Sequence, residues 1–220
     1  MGKFKKKGVV YTAITGNRDR YPVIDEIKDG WDFVCFTSEY LGNSDLWQTI
    51  KTVRLYNNAK DSRVYKLNPH KFLSEYDVSV WIDGNMQLRK GWVDHINKCL
   101  DKSNITFLKH PENVKGPYNE GQRCISMGKD SKDIINKQLD FYRSEGLPEN
   151  ENVSATGVLI RRHNEIKEFN NLWWSQVNKY SYRDQISLPY ARWKTKLKYN
   201  ETVFNKKNPH WLKMGAHCKR

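Results

Sequence analysis

The sequence predicts an α/β protein, with a mostly parallel central sheet flanked by helices in a single domain. Three observations predict it. Short runs rich in β-branched and aromatic residues alternate with segments whose apolar residues recur at helical spacing, the pattern of strand, crossover and parallel strand. Several runs end in turn-forming residues, as at Gly16-Asn17 and Asp83-Gly84-Asn85, and ligands of such sheets gather beyond the carboxyl ends of the strands. The 220 residues suit one domain over 1–220, with residues 1–7 as a basic N-terminal tail.

Taken in order, "GVVYTAIT" (8–15) is a strand stopped by Gly16. "WDFVCFTSE" (31–39) is a second, and "LWQTIKTVRL" (46–55) partly alternates, as a strand with one wetter face would. "DSRVYKLNPHKFLSEY" (61–76) carries Val64, Leu67, Lys71 and Phe72 at helical offsets. Pro69 lacks the N–H a helix needs and would kink or split it. "YDVSVWID" (76–83) reads as a buried central strand, and "GWVDHINKCLDK" (91–102) as an amphipathic helix with Trp92, Ile96, Cys99 and Leu100 on one stripe. "ITFLKH" (105–110) is a strand and "PENVKGPYNEGQ" (111–122) a loop. "SKDIINKQLDFYRSEG" (131–146) is a helix stopped by Gly146. After it come a strand, "SATGVLIRR" (154–162), and a helix, "HNEIKEFNNLWWSQVNKYS" (163–181). A short helix from Arg183, a short strand "ETVFN" (201–205) and a tail (208–220) complete the chain. The polar residues of "AITGN", "WIDGN" and "SATG" would share one rim of the sheet.

Hydrophobic residues are 38% and charged residues 29%, the composition of a folded chain. The net charge of +13 attracts polyanions without choosing among them. No helix-turn-helix, zinc-finger or RNP-type pattern is present, so nucleic acid is not an expected partner. No run reaches the roughly 18–20 apolar residues that cross a bilayer, and "MGKFKKKG" lacks the apolar core of a signal peptide. The expected location is the cytoplasm, with peripheral membrane association as the use of a basic surface. Cys35, Cys99, Cys124 and Cys218 are scattered without metal-ligand spacing and read as reduced thiols. The absence of GxGxxG, GxxxxGK[ST] and GxSxG argues against dinucleotide oxidoreductases, P-loop NTPases and α/β-hydrolases.

Three stretches could carry chemistry. Asp83 and Asn85 flank Gly84 where a strand ends; the tripeptide alone reads first as an Asx turn with no ligand, and it also suits a hard divalent cation bridging a diphosphate. Arg63 and Lys66 lie three apart on one helical face and could clamp phosphate oxygens, or form a solvated basic face. Asp184, ahead of an apolar run, could cap a helix, act as a general base or bind sugar hydroxyls.

In that order, "YTAITGNRD", "FVCFTSE", "SRVYKLNPHKFLSEYDVSVWIDGNMQL", "KHPENVKGPYNE" and "RDQISLPYA" resemble a glycosyltransferase-like family of the GT-A superfamily. It is the family that includes the plant mucilage-biosynthesis and turgor-regulation proteins and small bacterial and viral members. The resemblance covers residues 9–192 and implies a GT-A-like (Rossmann-like) fold and transfer of a hexosyl or pentosyl group from a UDP- or GDP-sugar. The acceptor implied is a glycan or lipid-linked molecule, whose anionic form would suit the basic surface. It places Asp83-Gly84-Asn85 where such enzymes bind Mn²⁺ or Mg²⁺ and the donor diphosphate, with Asn85 replacing a second acid. It implies that Tyr11, Thr12, Ala13 and Thr15 line the nucleotide, that Arg63 and Lys66 touch its phosphates, and that Asp184 serves as the base. A late histidine, His210 or His217, would complete the metal site. Hydrolysis at a similar site and a non-enzymatic polyanion-binding module are the alternatives.

Overall fold

The computed structural model describes residues 8–16, 19–112, 114–204 and 210–217. The basic tail 1–7 and Cys218 lie outside them. Strands β1 (Gly8–Ile14), β2 (Trp31–Thr37), β3 (Gln48–Lys51), β4 (Val78–Ile82), β6 (Ile105–Lys109), β7 (Ser154–Arg161) and β8 (Asn200–Thr202) form one sheet in the order β3-β2-β1-β4-β7-β6-β8. A two-stranded antiparallel ribbon pairs β5 (Met86–Leu88) with β9 (Leu212–Met214). Within the large sheet six strands run one way and β7 alone opposes them.

That reversal matters for the rim. In a wholly parallel sheet, Ser154–Gly157 would start their strand at the end away from the tips of β1 and β4. Because β7 runs antiparallel, Val158 pairs with Ile82 and the Asp83 N–H donates to the Gly157 carbonyl at 2.8 Å. All three polar stretches therefore meet at one edge.

The helices are α1 (Asn58–Leu67), α2 (Pro69–Phe72), α3 (Trp92–Leu100), α4 (Gly116–Ser126), α5 (Lys132–Ser144), α6 (Lys167–Lys179) and α7 (Asp184–Thr195), with a 3₁₀ turn over His163–Ile166. The split at Pro69 is the expected one: Asn68 leaves the helical region, and Pro69 starts the next turn where a missing N–H costs nothing. Upstream, the Asn57 side chain caps α1 by accepting from the Lys60 N–H at 2.9 Å.

Strand alternation sorts the core into two faces. Val10, Val80, Ile82, Val158 and Ile160 pack with Trp92, Ile96 and Leu100 of α3 on one side. Val9, Tyr11, Trp81, Phe107 and Leu159 pack with Leu67 of α1, Phe169 and Trp173 of α6 and Leu188 of α7 on the other. Each fully buried aliphatic side chain here contributes about 1.5–3 kcal/mol. Cys35, Cys99 and Cys124 are buried and not disulfide-bonded to one another.

Three expectations need correction. The 46–55 strand is only Gln48–Lys51, because it forms a largely exposed edge where just four residues find ladder partners on β2. The stretch 111–122 is no simple loop: α4 starts at Gly116, whose φ of +84° and closeness to the Glu149 carbonyl admit no side chain. Finally, the C-terminal tail includes β9, which binds β5 and seats Trp211 against His95 with ring centroids 4.1 Å apart.

Candidate active site

A cavity of about 650 Å³ opens at the carboxyl rim. The tip of β1 contributes Ala13 and Thr15, the β4–β5 turn contributes Asp83, Gly84 and Asn85, and β7 contributes Thr156 and Gly157. Helix α1 presents Arg63, α4 presents Glu120 and Arg123, and the first turn of α7 presents Asp184. His217, beyond β9, also borders it.

The turn after β4 is closed by the Met86 N–H donating to the Asp83 carbonyl at 2.9 Å. The bond is a backbone one, which leaves the Asp83 side chain for other partners. Its Oδ1 accepts from Trp81 Nε1 at 2.8 Å and lies 3.6 Å from Lys66 Nζ. Asn85 Nδ2 donates to the Gly215 carbonyl at 3.2 Å, so the side chain's lone pairs lie on its amide oxygen, the atom able to accept a hydrogen bond or bind a cation.

Beneath the cavity lies an ionic hub. Lys66 Nζ is 2.6 Å from Asp184 Oδ2, a close ionic contact, and it sits 5.5 Å from the centre of the Trp81 ring. Arg63 Nε approaches Asp184 Oδ1 at 3.5 Å. Burial pushes the Asp184 carboxyl up, but Lys66, then Arg63 and Arg183, outweigh it and hold the group well below the usual carboxylate range. Burial likewise pushes the Lys66 ammonium down against the pull of Asp184 and Asp83. The carboxylate governs the pair: with three cations around it Asp184 stays ionised, and an ionised Asp184 keeps the proton on Lys66.

The structure divides the expected site residues into three groups. Ala13, Thr15, Arg63, Asp83, Gly84, Asn85, Asp184 and His217 border the cavity. Tyr11, Thr12 and Lys66 do not: all three are fully buried. Tyr11 sits two residues deeper in β1 than Ala13, and its hydroxyl donates to the Lys66 carbonyl at 2.9 Å and accepts from Arg161. It cannot line a nucleotide, and neither can Thr12 beside it. Lys66 lies under the floor because it faces Asp184, while Arg63, one turn earlier on α1, reaches the open space. His210 is exposed and stands outside the lining.

Asp184 borders the cavity yet is only 2% exposed. A good general base has a pKa near the working pH, and a carboxylate locked between Lys66 and Arg63 has the opposite character. Sequence reasoning also passed over Asp19, Lys109, Arg123 and Lys129, which border the cavity. Their only shared signal is charge, which a chain with 38 Lys and Arg residues spreads everywhere.

The mostly parallel sheet flanked by helices carries its cavity at the carboxyl rim, beside the acid–glycine–amide turn that follows its central strand. Residues 33–218 match the model of the TOD1/MUCI70, glycosyltransferase-like domain family, and the chain belongs to that family. A relative from Arabidopsis thaliana named "Probable hexosyltransferase MUCI70" is 29% identical over 171 residues, 72% of this chain and 29% of the relative. The chain thus spans less than a third of that protein's length. A crystal structure of the galactosyltransferase LgtC with donor and acceptor sugar analogues shares 11% identity at a TM-score of 0.47, over 90% of this chain and 73% of that one.

Proposed function

We propose that this protein is a glycosyltransferase that moves a hexosyl or pentosyl group from a UDP- or GDP-sugar to a glycan or lipid-linked acceptor. The observation that carries this reading is the rim cavity, where Arg63 and the Asp83-Gly84-Asn85 turn face one space in a chain of this family. Transfer builds negative charge on the departing diphosphate, and groups that meet that charge only as it develops accelerate the step. Arg63 is such a group. Its guanidinium can fork onto two phosphate oxygens, and Asp184 holds it from behind. Lys66 adds a buried positive charge beneath the same turn.

The donor set also suits Mn²⁺ or Mg²⁺. A carboxylate at Asp83, an amide oxygen at Asn85 and an imidazole at His217 border one cavity, and such cations accept these atoms. Among the described residues no three His, Cys, Asp or Glu side chains are grouped to hold a metal, so remaining positions would fall to phosphate and water oxygens. When bound, the cation would supply positive charge to the diphosphate. The residues meanwhile orient the donor and exclude water beneath it.

On this reading Asp184 anchors Arg63 and Lys66 instead of taking the acceptor's proton. The cavity lining carries five Lys or Arg and five Asp or Glu among the described residues, so the +13 surplus lies elsewhere. That distribution favours a site for a small, mixed-charge donor over a general polyanion groove. Among the described residues no helix is long and apolar enough to cross a membrane.

Calorimetric titration with UDP, GDP and their sugars, with Mn²⁺ and with chelator, tests the proposal on the wild type and on Asp83→Ala. Binding of one nucleotide that Asp83→Ala loses is the expected result. A folded protein that binds none of them would overturn it.

A further inference from the structure

Asp19 and His217 are 198 positions apart and meet at the cavity edge. His217 Nδ1 lies 2.8 Å from Asp19 Oδ1 and 3.1 Å from Oδ2. A carboxylate accepts hydrogen bonds and does not donate them. Nδ1 therefore carries a ring proton, and the neutral form of the ring has its lone pair on Nε2.

Both partners are tied to the β4–β5 turn. The Gly215 N–H donates to the Asn85 carbonyl at 2.7 Å, and Asn85 Nδ2 donates back to the Gly215 carbonyl. Asp19 rests on Gly84 so closely that a Cβ there would lie 2.8 Å from Asp19 Cβ and 2.9 Å from its Oδ2. The contacts close a ring: Asp19 on Gly84, Asn85 on Gly215, His217 on Asp19. Glycine at position 84 is what lets the carboxylate approach.

We infer that Asp19 is a positioning residue that orients His217 and fixes the tautomer offering Nε2 to a divalent cation held with Asp83 and Asn85. The inference rests on the metal-assisted reading above. A metal-binding histidine commonly gives its second ring N–H to a carboxylate, which fixes the ring and raises its basicity, and losing that partner weakens metal binding about 10–100-fold.

The test counts free Mn²⁺ by electron paramagnetic resonance during titration of the full chain, with Mn²⁺ alone and with Mn²⁺ plus UDP or GDP. The variants are Asp19→Ala, Asp19→Asn, His217→Ala and Asp83→Ala, each matched to the wild type by denaturation midpoint. Asp19→Ala and His217→Ala are expected to bind Mn²⁺ about 10–100-fold more weakly, and Asp19→Asn, which keeps an acceptor oxygen, to lose less. Proton–nitrogen correlation spectra of the wild type without metal should show His217 protonated on Nδ1, a preference lost in Asp19→Ala. Mn²⁺ binding that disappears in Asp83→Ala but is unchanged in Asp19→Ala would overturn the positioning role and leave the metal reading standing. No Mn²⁺ binding by the wild type under either condition would overturn both. A wild-type His217 protonated on Nε2 would overturn the inference on its own.

Discussion

Two acid–base pairs lie at the same cavity, one beneath its floor and one at its edge, and differ in their distance from water. Lys66 and Asp184 have side chains 1% and 3% exposed, whereas His217 and Asp19 are 44% and 13% exposed. The first pair joins α1 to α7 under the sheet rim; the second joins the segment after β1 to the residues that follow β9. Burial makes their energetic roles diverge. Removing one member of a buried pair strands an uncompensated charge in a medium that cannot solvate it, while an exposed pair gains little over water. Neighbouring pairs of similar chemistry can thus serve different ends: the inner pair holds the architecture, and the outer pair is free to handle a ligand.

The largest expected effect comes from breaking the inner pair. Lys66→Ala should cost about 3–5 kcal/mol, read from urea denaturation, because Asp184 is left buried without its closest cation. Lys66→Met combined with Asp184→Leu should recover part of that loss, since the pair itself no longer carries stranded charge while Arg63 and Arg183 lose their shared carboxylate. A single variant as stable as the wild type would remove the distinction between the two pairs.

Asp184 sharpens the contrast through pH. Its native pKa lies below its unfolded value of about 3.9. It therefore contributes stability that is present above pH ~4 and lost as pH falls through that value toward the native one. Asp184→Asn should lower stability at neutral pH and flatten the acid limb of a stability profile. A variant that is fully stable but inactive would return Asp184 to the role of base.

Smaller effects belong to the cavity face. Arg63→Ala should weaken UDP or GDP binding by about 1–3 kcal/mol in calorimetry, the range of a hydrogen bond to a charged group. Smallest of all, Asp19→Ala should change the denaturation midpoint by no more than about 0–1 kcal/mol. A larger loss would make the outer pair structural as well.

Much of the sheet was readable because its signals are local. β1, β2, β4, β6 and β7 announce themselves by runs of Val, Ile, Phe, Tyr and Trp, and Pro69 marks the break between α1 and α2 within the chain that forms them. The same holds for the acid–glycine–amide turn after β4. Other features depended on partners far along the chain. Helix α4 starts where Gly116 presses on Glu149, 33 positions later, and β9 exists only because β5 is there to pair with it. The reversal of β7, which brings Gly157 against Asp83, is likewise a choice among neighbours, since a strand's own residues do not state its direction.

From sequence alone this protein was an α/β sheet protein with an acid–glycine–amide turn at Asp83-Gly84-Asn85 on one rim, because periodicity and turn chemistry are written in consecutive residues. Only the tertiary structure decided that Arg63 meets open space while Lys66 lies buried against Asp184, that His217 shares the cavity while His210 stands outside it, and that Asp19 belongs to the site. A residue's type states its charge, but its depth is set by what packs over it, and depth decides whether that charge supports the fold or faces a ligand.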